Sequence, residues 1–294
     1  MERVAVLTER STRIRQARKL TRRAGREKAG LFLAEGGQAV SEAVAASGPT
    51  RQQATRPAAS RGDEQRVVEI FATPAAHRRH AAIVEAAERA GIDVHLADDA
   101  ALAELSETVT PQGIVAVCRP ESASLADVLG PPQAPEPTSA TLVPVLVEAQ
   151  DPGNVGTVIR CADAAGADAV LLTAGSADPY GGKAVRASVG SVFHLPIVSG
   201  VEVVEAIDQL RSAGLTVLAA DGAGAWDLDD ADAAGVLSAP VAWLFGNEAR
   251  GLPDAVRRAA DYVVRVPIYG QAESLNLATA SAVCLYATAR AQRR

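Results

Sequence analysis

Two stretches near the carboxyl end, LFGNEARGLP (residues 244–253) and VRVPIYGQAESLNLATASAVCLYA (residues 264–287), decide the fold. Each contains an apolar run that stops abruptly at Gly, Asn, Glu or Ser. VAWLF has the continuous apolar character of a buried strand. GNEARG forms the loop at its carboxyl end, and Pro253 suits the first turn of a helix. YVVRVPI is a second such strand, YGQAE its loop, and SLNLATASAVCLYATAR a helix opening at Ser274. Ser274 and Asn276 then stand where a helix has unpaired N–H groups. VEAQDPGNVGTVIRCADAAGADAVLLT (residues 147–173) repeats the plan of strand, polar loop and helix. Loops at the carboxyl ends of parallel strands are where an open α/β sheet builds its site.

Working outward, the same alternation runs from TLVPVLVEA to the last residue. Six or so strands alternate with helices, including a helix from 155 to 165, and AWDLDDADAAG reads as an acidic loop. This predicts an α/β fold with a mostly parallel sheet and helices on both faces. GPPQAPEPTSA (residues 130–140) has four prolines in eleven positions, which is linker composition. The organisation expected is a small α/β domain over 1–119, a Pro-rich linker over 120–140 and the parallel-sheet domain over 141–294. In the first domain Ser11 caps a helix through IRQARKLTRRAG, and a second helix covers about 38–46. AAHRRHAAIVEAAERAG is one amphipathic helix, and Asp98 or Asp99 caps another. GPTRQQATRPAASRGDEQR (residues 48–66) almost lacks aliphatic side chains and reads as a mobile surface loop.

The chain has 294 residues, 48% of them apolar and only 3% aromatic, so the core is built from Ala, Val and Leu. Cys118, Cys161 and Cys284 form no CxxC pair and sit in apolar surroundings, which reads as free thiols in a reducing compartment, the cytoplasm. No zinc pattern is visible among three cysteines and four histidines. There is neither a signal-peptide pattern nor an apolar run long enough for a membrane span. The net charge is −6, yet residues 1–30 carry ten Lys or Arg against three acids, while residues 120–294 carry 11 against 20. A basic head on an acidic body supplies the local positive field that phosphate binding needs; a solvated helix surface is the alternative.

Nucleotide cofactors fare poorly. DPGNVG follows a strand and opens a helix, but its spacing is GxxG rather than GxGxxG, and neither Asp168 nor Asp178 is placed as a ribose-binding acid. No GxxxxGK[ST] occurs. The residues by themselves support a cleft lined by Asn154, Arg160, Asn247, Glu248, Ser274 and Asn276.

Those residues carry a resemblance. DPGNVGTVIRCADAAG, LFGNEARGL and VPIYGQAESLNLATASAVCLY are similar to the three motifs of the SpoU family of RNA 2′-O-ribose methyltransferases, and ADPYGGKAVRASVGSVFHLPI resembles the region between the first two. The order and spacing hold over about 145 residues. The resemblance implies a deep trefoil knot, S-adenosylmethionine as cofactor, no metal, and a homodimer through the knotted domain, with Val283, Leu285 and the alanines of the last helix as its apolar face. The amino-terminal part resembles the family's substrate-binding domain through LFLAEG and GIVAV. The whole is most like ribosomal RNA methylases of the branch that includes thiostrepton-resistance enzymes, which favours large-subunit ribosomal RNA over transfer RNA.

By the same resemblance Arg160 meets the target ribose or its phosphate, with Asp163 as its partner in the alternative of a surface ion pair. Asn154 holds that arginine or the ribose, although Asn before a glycine in a tight turn needs no ligand. Glu248 orients Arg160, or is only a cap. Ser274 and Asn276 shape the site. Leu244, Phe245, Gly246, Asn247, Gly251, Ile268, Ser274 and Leu275 cradle the cofactor. Arg13, Arg15, Arg18, Lys19, Arg22 and Arg23 bind RNA in the basic head, and Arg186 and Ser188 lie near it. Two other classes share these features: an idle RNA-binding or ribosome-assembly protein, and a methylase of a base nitrogen. The SLN motif and Arg160 favour the ribose oxygen.

Overall fold

The computed structural model describes residues 5–48, 65–121, 123–130 and 140–294. All but the edges of the expected 48–66 loop, and the Pro-rich stretch 131–139, lie outside the described residues. The chain forms two units: Met1–Glu121 with Asp178–His194, and Ser122–Ala177 with Leu195–Arg294. The linear boundary expected from sequence therefore misses one exchange, the segment Asp178–His194, which packs with the amino-terminal unit.

That unit is built from α1 (Thr12–Ala17), α2 (Arg23–Ala29), β1 (Phe32–Glu35), α3 (Gly37–Ala46), β2 (Val67–Ala72), α4 (Pro74–Arg79), α5 (Ala81–Arg89), β3 (Asp93–Leu96), α6 (Asp99–Glu104) and β4 (Ile114–Cys118). Its sheet has the order β1-β4-β2-β3, with only β2 and β3 parallel. Strand residues alternate faces. Leu33, Phe71, Val115 and Val117 meet Ile14, Ala17 and Leu20 on one side. On the other side Phe32 packs at a tilt against Tyr180 and stacks on Phe193 of the inserted segment, at 4.8 and 5.7 Å between ring centroids.

Two helices expected to be continuous are broken. The first gives way to a 3-10 turn over Arg18–Thr21, then extended backbone at Arg22. The chain doubles back so closely that a Cβ on Gly25 would lie 1.9 Å from the Lys19 carbonyl oxygen. Arg26 closes this turn, donating to the carbonyls of Leu20 and Thr21 at 2.9 and 3.1 Å and to Asp178 at 2.8 Å. Ser11 does not cap α1; its hydroxyl accepts from the Thr8 N–H instead. The second break falls at His80, whose backbone (φ −108°, ψ 34°) is not helical. Asp98 does cap α6, accepting from Ala101 N at 2.8 Å.

The second unit contains α7 (Leu125–Leu129), β5 (Leu142–Leu146), α8 (Pro152–Ala165) and β6 (Val170–Thr173). The chain then contributes α9 (Gly182–Ser188) to the first unit. It returns with β7 (Ile197–Val201), α10 (Val203–Ser212), β8 (Thr216–Ala220), β9 (Trp226–Asp227), α11 (Leu228–Ala233), β10 (Val241–Phe245), α12 (Asp254–Ala259), β11 (Tyr262–Arg265) and α13 (Leu277–Ala291). Seven strands in the order β7-β6-β5-β10-β8-β11-β9 pair in parallel throughout. Pro144 sits inside this sheet, and β5 pairs with β6 only from Val145 onward, past the residue that has no N–H to give. One face carries Val143, Val145, Leu171, Val217 and Leu244 against Leu125, Leu129, Ile207, Leu210 and Val256 of α7, α10 and α12. On the other, α8 and α13 pack together, and Trp243, fully buried, donates from Nε1 to Thr288 Oγ1 of α13 at 2.9 Å.

Four local expectations are corrected. The stretch 125–129 is not linker but α7, opened by a capping box between Ser124 and Asp127 and held by its two buried leucines. The acidic run holds β9 and α11, because Leu228 and Ala231 reach the core while the carboxylates face outward. Leu285 is fully buried, so on α13 the exposed apolar residues are Val283 and Tyr286. Ser274 precedes α13, whose cap is Asn276. Among the described residues no helix is long and apolar enough to cross a membrane.

Candidate active site

The site is built where β5, β10 and β11 end. β5 runs into Glu148, which turns the chain at φ 51°, a left-handed conformation that costs a residue with a Cβ about 1–2 kcal/mol. Neighbours hold this turn in place. Glu148 N donates to Thr173 Oγ1 at 3.0 Å, Glu148 O accepts from Asn247 Nδ2 at 2.8 Å, and the carboxylate pairs with Arg250 at 2.9 Å. Asp151 then caps α8 by accepting from Asn154 N at 3.0 Å, with Pro152 in the first turn. The helix thus starts three residues earlier than expected at 155, and Asn154 is already on it.

The loop after β10 closes on itself. Asn247 and Gly251 exchange backbone hydrogen bonds at 3.1 and 2.8 Å, and Asn247 Oδ1 accepts from Ala249 N and Arg250 N at 3.0 and 3.2 Å. Gly251 adopts φ +66°, and a Cβ on Gly246 would lie 2.4 Å from the backbone of Gly251 and Leu252. The two glycines are therefore required by the loop's own shape. Asn247 is buried and committed to this closure, while Glu248 stays exposed at its tip.

Asn276 links the third loop to the other two. Its Oδ1 accepts from Ala278 N and Thr279 N at 2.9 and 3.3 Å, and its Nδ2 donates to Asn154 Oδ1 at 3.1 Å. Asn154 Nδ2 donates in turn to Glu248 Oε1 at 3.1 Å, and Gln150 N donates to Glu248 Oε2 at 3.4 Å. Every amide in this chain has a direction: helix N–H groups fix the Asn276 carbonyl, its NH2 fixes Asn154, and the Asn154 NH2 meets a carboxylate. Three sequence-distant loops are joined by one polar strap.

Arg160 lies six residues along α8 from Asn154, exposed, and its side chain forms no hydrogen bond or ion pair with a described residue. The expected contact between Glu248 and Arg160 is absent, since Asn154 and Gln150 N engage the carboxylate. Burial pushes the neighbouring Cys161 thiol up despite the Arg160 charge, and pushes Cys284 up to about 12. Neither is poised as a thiolate nucleophile.

The residues assigned to a cofactor divide in two. Leu244 and Phe245 side chains are core, so only backbone at the strand end can face a ligand. Beyond β11, residues 266–275 make no backbone hydrogen bond with another described residue. Ile268 is 38% exposed beside them, Leu275 is half-buried and Ser274 exposed. Free N–H and C=O groups next to an apolar side chain suit a flat, polar-edged heterocycle.

The expected RNA contacts also divide. Arg13, Arg18 and Arg23 pair with Glu69, Glu104 and Glu27 at 2.7–2.8 Å. Arg15, Lys19 and Arg22 are exposed, with no side-chain partner among the described residues. Arg186 pairs with Glu35 and Glu107 at 3.2 and 3.5 Å within the amino-terminal unit. Ser188, which the resemblance places near the RNA, is fully buried and donates to Val185 O at 2.8 Å. Glu148, Gln150 and Arg250 were missed. A left-handed residue and a cross-loop ion pair leave no periodic trace in sequence.

Residues 141–286 match the SpoU rRNA Methylase family, and residues 11–116 match the MRM3-like substrate binding domain. The chain is 32% identical over 277 residues to a Bacillus subtilis 23S rRNA (guanosine(2553)-2′-O)-methyltransferase, covering 93% of this chain and 94% of that one. It is 40% identical over 144 residues to a Streptomyces viridochromogenes 23S rRNA (uridine(2479)-2′-O)-methyltransferase, covering 47% and 49%. An AdoMet-bound rRNA methyltransferase from Sinorhizobium meliloti superposes with a TM-score of 0.76 at 29% identity, over 97% of both chains.

Proposed function

Since the chain belongs to the SpoU rRNA methylase family, we infer that it transfers a methyl group from S-adenosylmethionine to a ribose 2′-hydroxyl of RNA, and that this RNA is 23S ribosomal RNA. The observation that carries the reading is the polar strap Asn276–Asn154–Glu248, with an unengaged Arg160 further along the helix that carries Asn154. Bound S-adenosylmethionine supplies an electrophilic methyl on a sulfonium. The free backbone groups of 266–275, the Ile268 side chain and the closed loop 246–251 are the surfaces of this chain that fit it.

Arg160 orients the ribose or its phosphate and answers negative charge growing on the attacking oxygen; a guanidinium has five N–H donors and no acceptor, which makes it a poor base. The strap keeps the three loops in one geometry, so that the protein contributes position and charge rather than a covalent intermediate. Arg15, Lys19 and Arg22 supply phosphate contacts from the amino-terminal unit.

The reading extends to a homodimer, to a trefoil-knotted carboxyl-terminal segment and to the cytoplasm. Val283 and Tyr286, 39% and 53% exposed on the outer side of α13, support the dimer. The return of α13 from β11 to pack on α8 and β5, across the sheet, supports the knot. Free cysteines support a reducing compartment.

The test is transfer from labelled S-adenosylmethionine to a large-subunit rRNA transcript, followed by alkaline hydrolysis. A 2′-O-methyl linkage resists alkali, and the resistant position maps the nucleotide. Label that appears only on an alkali-labile nucleotide would assign base methylation, and no label on any rRNA or tRNA would return the chain to an RNA-binding role.

A further inference from the structure

The chain has ten aromatic residues. Eight of them are buried or half-buried, and the exposed two are Tyr269 and Tyr286. Tyr286 belongs to the exposed side of α13 already described. Tyr269 does not: it is 90% exposed in the loop between β11 and α13, the loop that also carries Ile268, Ser274 and the cap Asn276. Its hydroxyl makes no hydrogen bond with a described residue, and a Cβ added at the next residue, Gly270, would meet nothing within 4 Å. The ring therefore stands in solvent with open space beside it, held by backbone that is pinned at one end through Asn276 to Asn154.

An aromatic side chain placed in this way gains nothing for the fold, because it buries almost no area. It has what a nucleic-acid platform requires: a flat apolar face, a polar tip and clearance for a second ring. Resting on the reading of the chain as an RNA ribose methylase, we propose that Tyr269 stacks on an unpaired base of the substrate RNA and so positions the nucleotide whose ribose faces the Asn154–Asn276 strap. A base presented to the site has lost its neighbours in the RNA stack, and an aromatic face replaces part of that contact. Tyr269 is thus a positioning residue and takes no part in proton or methyl transfer.

Tyr269→Ala, Tyr269→Phe and Tyr269→Trp in the full chain test the proposal, using a large-subunit rRNA transcript and S-adenosylmethionine. Removing one base–aromatic stack costs on the order of 5- to 150-fold in RNA affinity. The alanine variant should lose RNA affinity, or kcat/KM through KM, by a factor in that range. Phe and Trp should stay within about threefold of the parent, because any aromatic face stacks. Cofactor affinity by calorimetry and sedimenting mass should not move.

An alanine variant with unchanged RNA affinity and kcat/KM overturns the proposal. A drop in cofactor affinity would make the ring a lid on the cofactor instead, and a loss of self-association would make it a protein contact; either result also overturns it. Should the unsubstituted protein transfer no methyl to RNA, the functional reading fails, and the RNA affinities of the Tyr and Ala proteins still decide whether the ring stacks.

Discussion

Arg160 is the side chain on which most of the chemistry is expected to rest. It is exposed and without a partner among the described residues, whereas Asn154, Glu248 and Asn276 are engaged with one another. Arg160→Ala should reduce single-turnover methyl transfer by roughly 10² to 10³, about 3–4 kcal/mol, as loss of one electrostatic contact to a developing oxyanion does. Because the guanidinium holds nothing in the fold, cofactor affinity and melting temperature should be unchanged. Arg160→Lys should restore little, since an ammonium does not reproduce a planar fork of donors. Asn154→Asp probes the strap differently. It replaces a donor by a carboxylate oxygen facing Glu248 at the present 3.1 Å, turning attraction into repulsion. A hydrogen bond to a charged group contributes about 1.5–3 kcal/mol, so transfer should fall while Asn154→Ser, which can still donate, keeps more of it. Equal rates for the two variants would remove the strap from the mechanism.

At the scale of elements, His80 makes the break between α4 and α5 sensitive to acid. Its Nε2 is buried and has no hydrogen-bond partner, and the ring fills the space in front of Gly37, where a Cβ would lie 2.6 Å from Cε1. Burial, with the Arg79 charge adding to it, holds its pKa below the ordinary histidine value of 6.5. The folded state therefore resists the proton that the unfolded chain accepts. Stability is complete above pH 6.5 and declines as pH falls from there through the lowered value. Urea midpoints at about pH 7.5 and about pH 5 should differ less for His80→Gln than for the parent, by the share this one group contributes. On α13, Tyr286→Glu together with Val283→Asp should shift sedimentation from twice the 30.3 kDa chain mass to once that mass if this side of the helix is the dimer contact. The strands of the second unit other than β9, and both glycines of loop 246–251, were legible in the sequence because apolar runs ending in Gly and Asn have few alternatives. His80 was not, because the residues on either side keep one amphipathic period while a single backbone angle breaks the helix. Asn154, Glu248 and Asn276, named together from the sequence, are joined in the structure, whereas the expected contact of Glu248 with Arg160 is not made. Which amide meets which carboxylate depends on side-chain geometry that sequence spacing does not encode.

For the whole molecule, the division between the units does not follow the chain. A fragment beginning at Thr141 would lack α7, whose Leu125 and Leu129 lie in the core of the second unit; each such leucine contributes about 1.5–3 kcal/mol by its burial. The same fragment would carry Asp178–His194 without the strand residue Phe32 against which Tyr180 and Phe193 pack. It should unfold at lower urea than a fragment beginning at Ala123, and both should bind a hydrophobic dye that the full chain does not. Where folded, either fragment should keep cofactor affinity and lose most RNA affinity, read over a salt series; undiminished RNA affinity would reject the basic segment as the phosphate contact. The interleaving also sets a schedule. The amino-terminal unit takes its last 17 residues from Asp178–His194, so 73 residues separate Glu121 from the end of that unit. At a synthesis rate of roughly 5–20 residues per second, that is a delay of about 4–15 s. Throughout it the nascent unit leaves the ribosome with Phe32 lacking Tyr180 and Phe193 against it, and a chaperone able to hold apolar surface has a defined interval in which to act. The half of the protein made first is completed only after β5, α8 and β6 of the other half have already been translated.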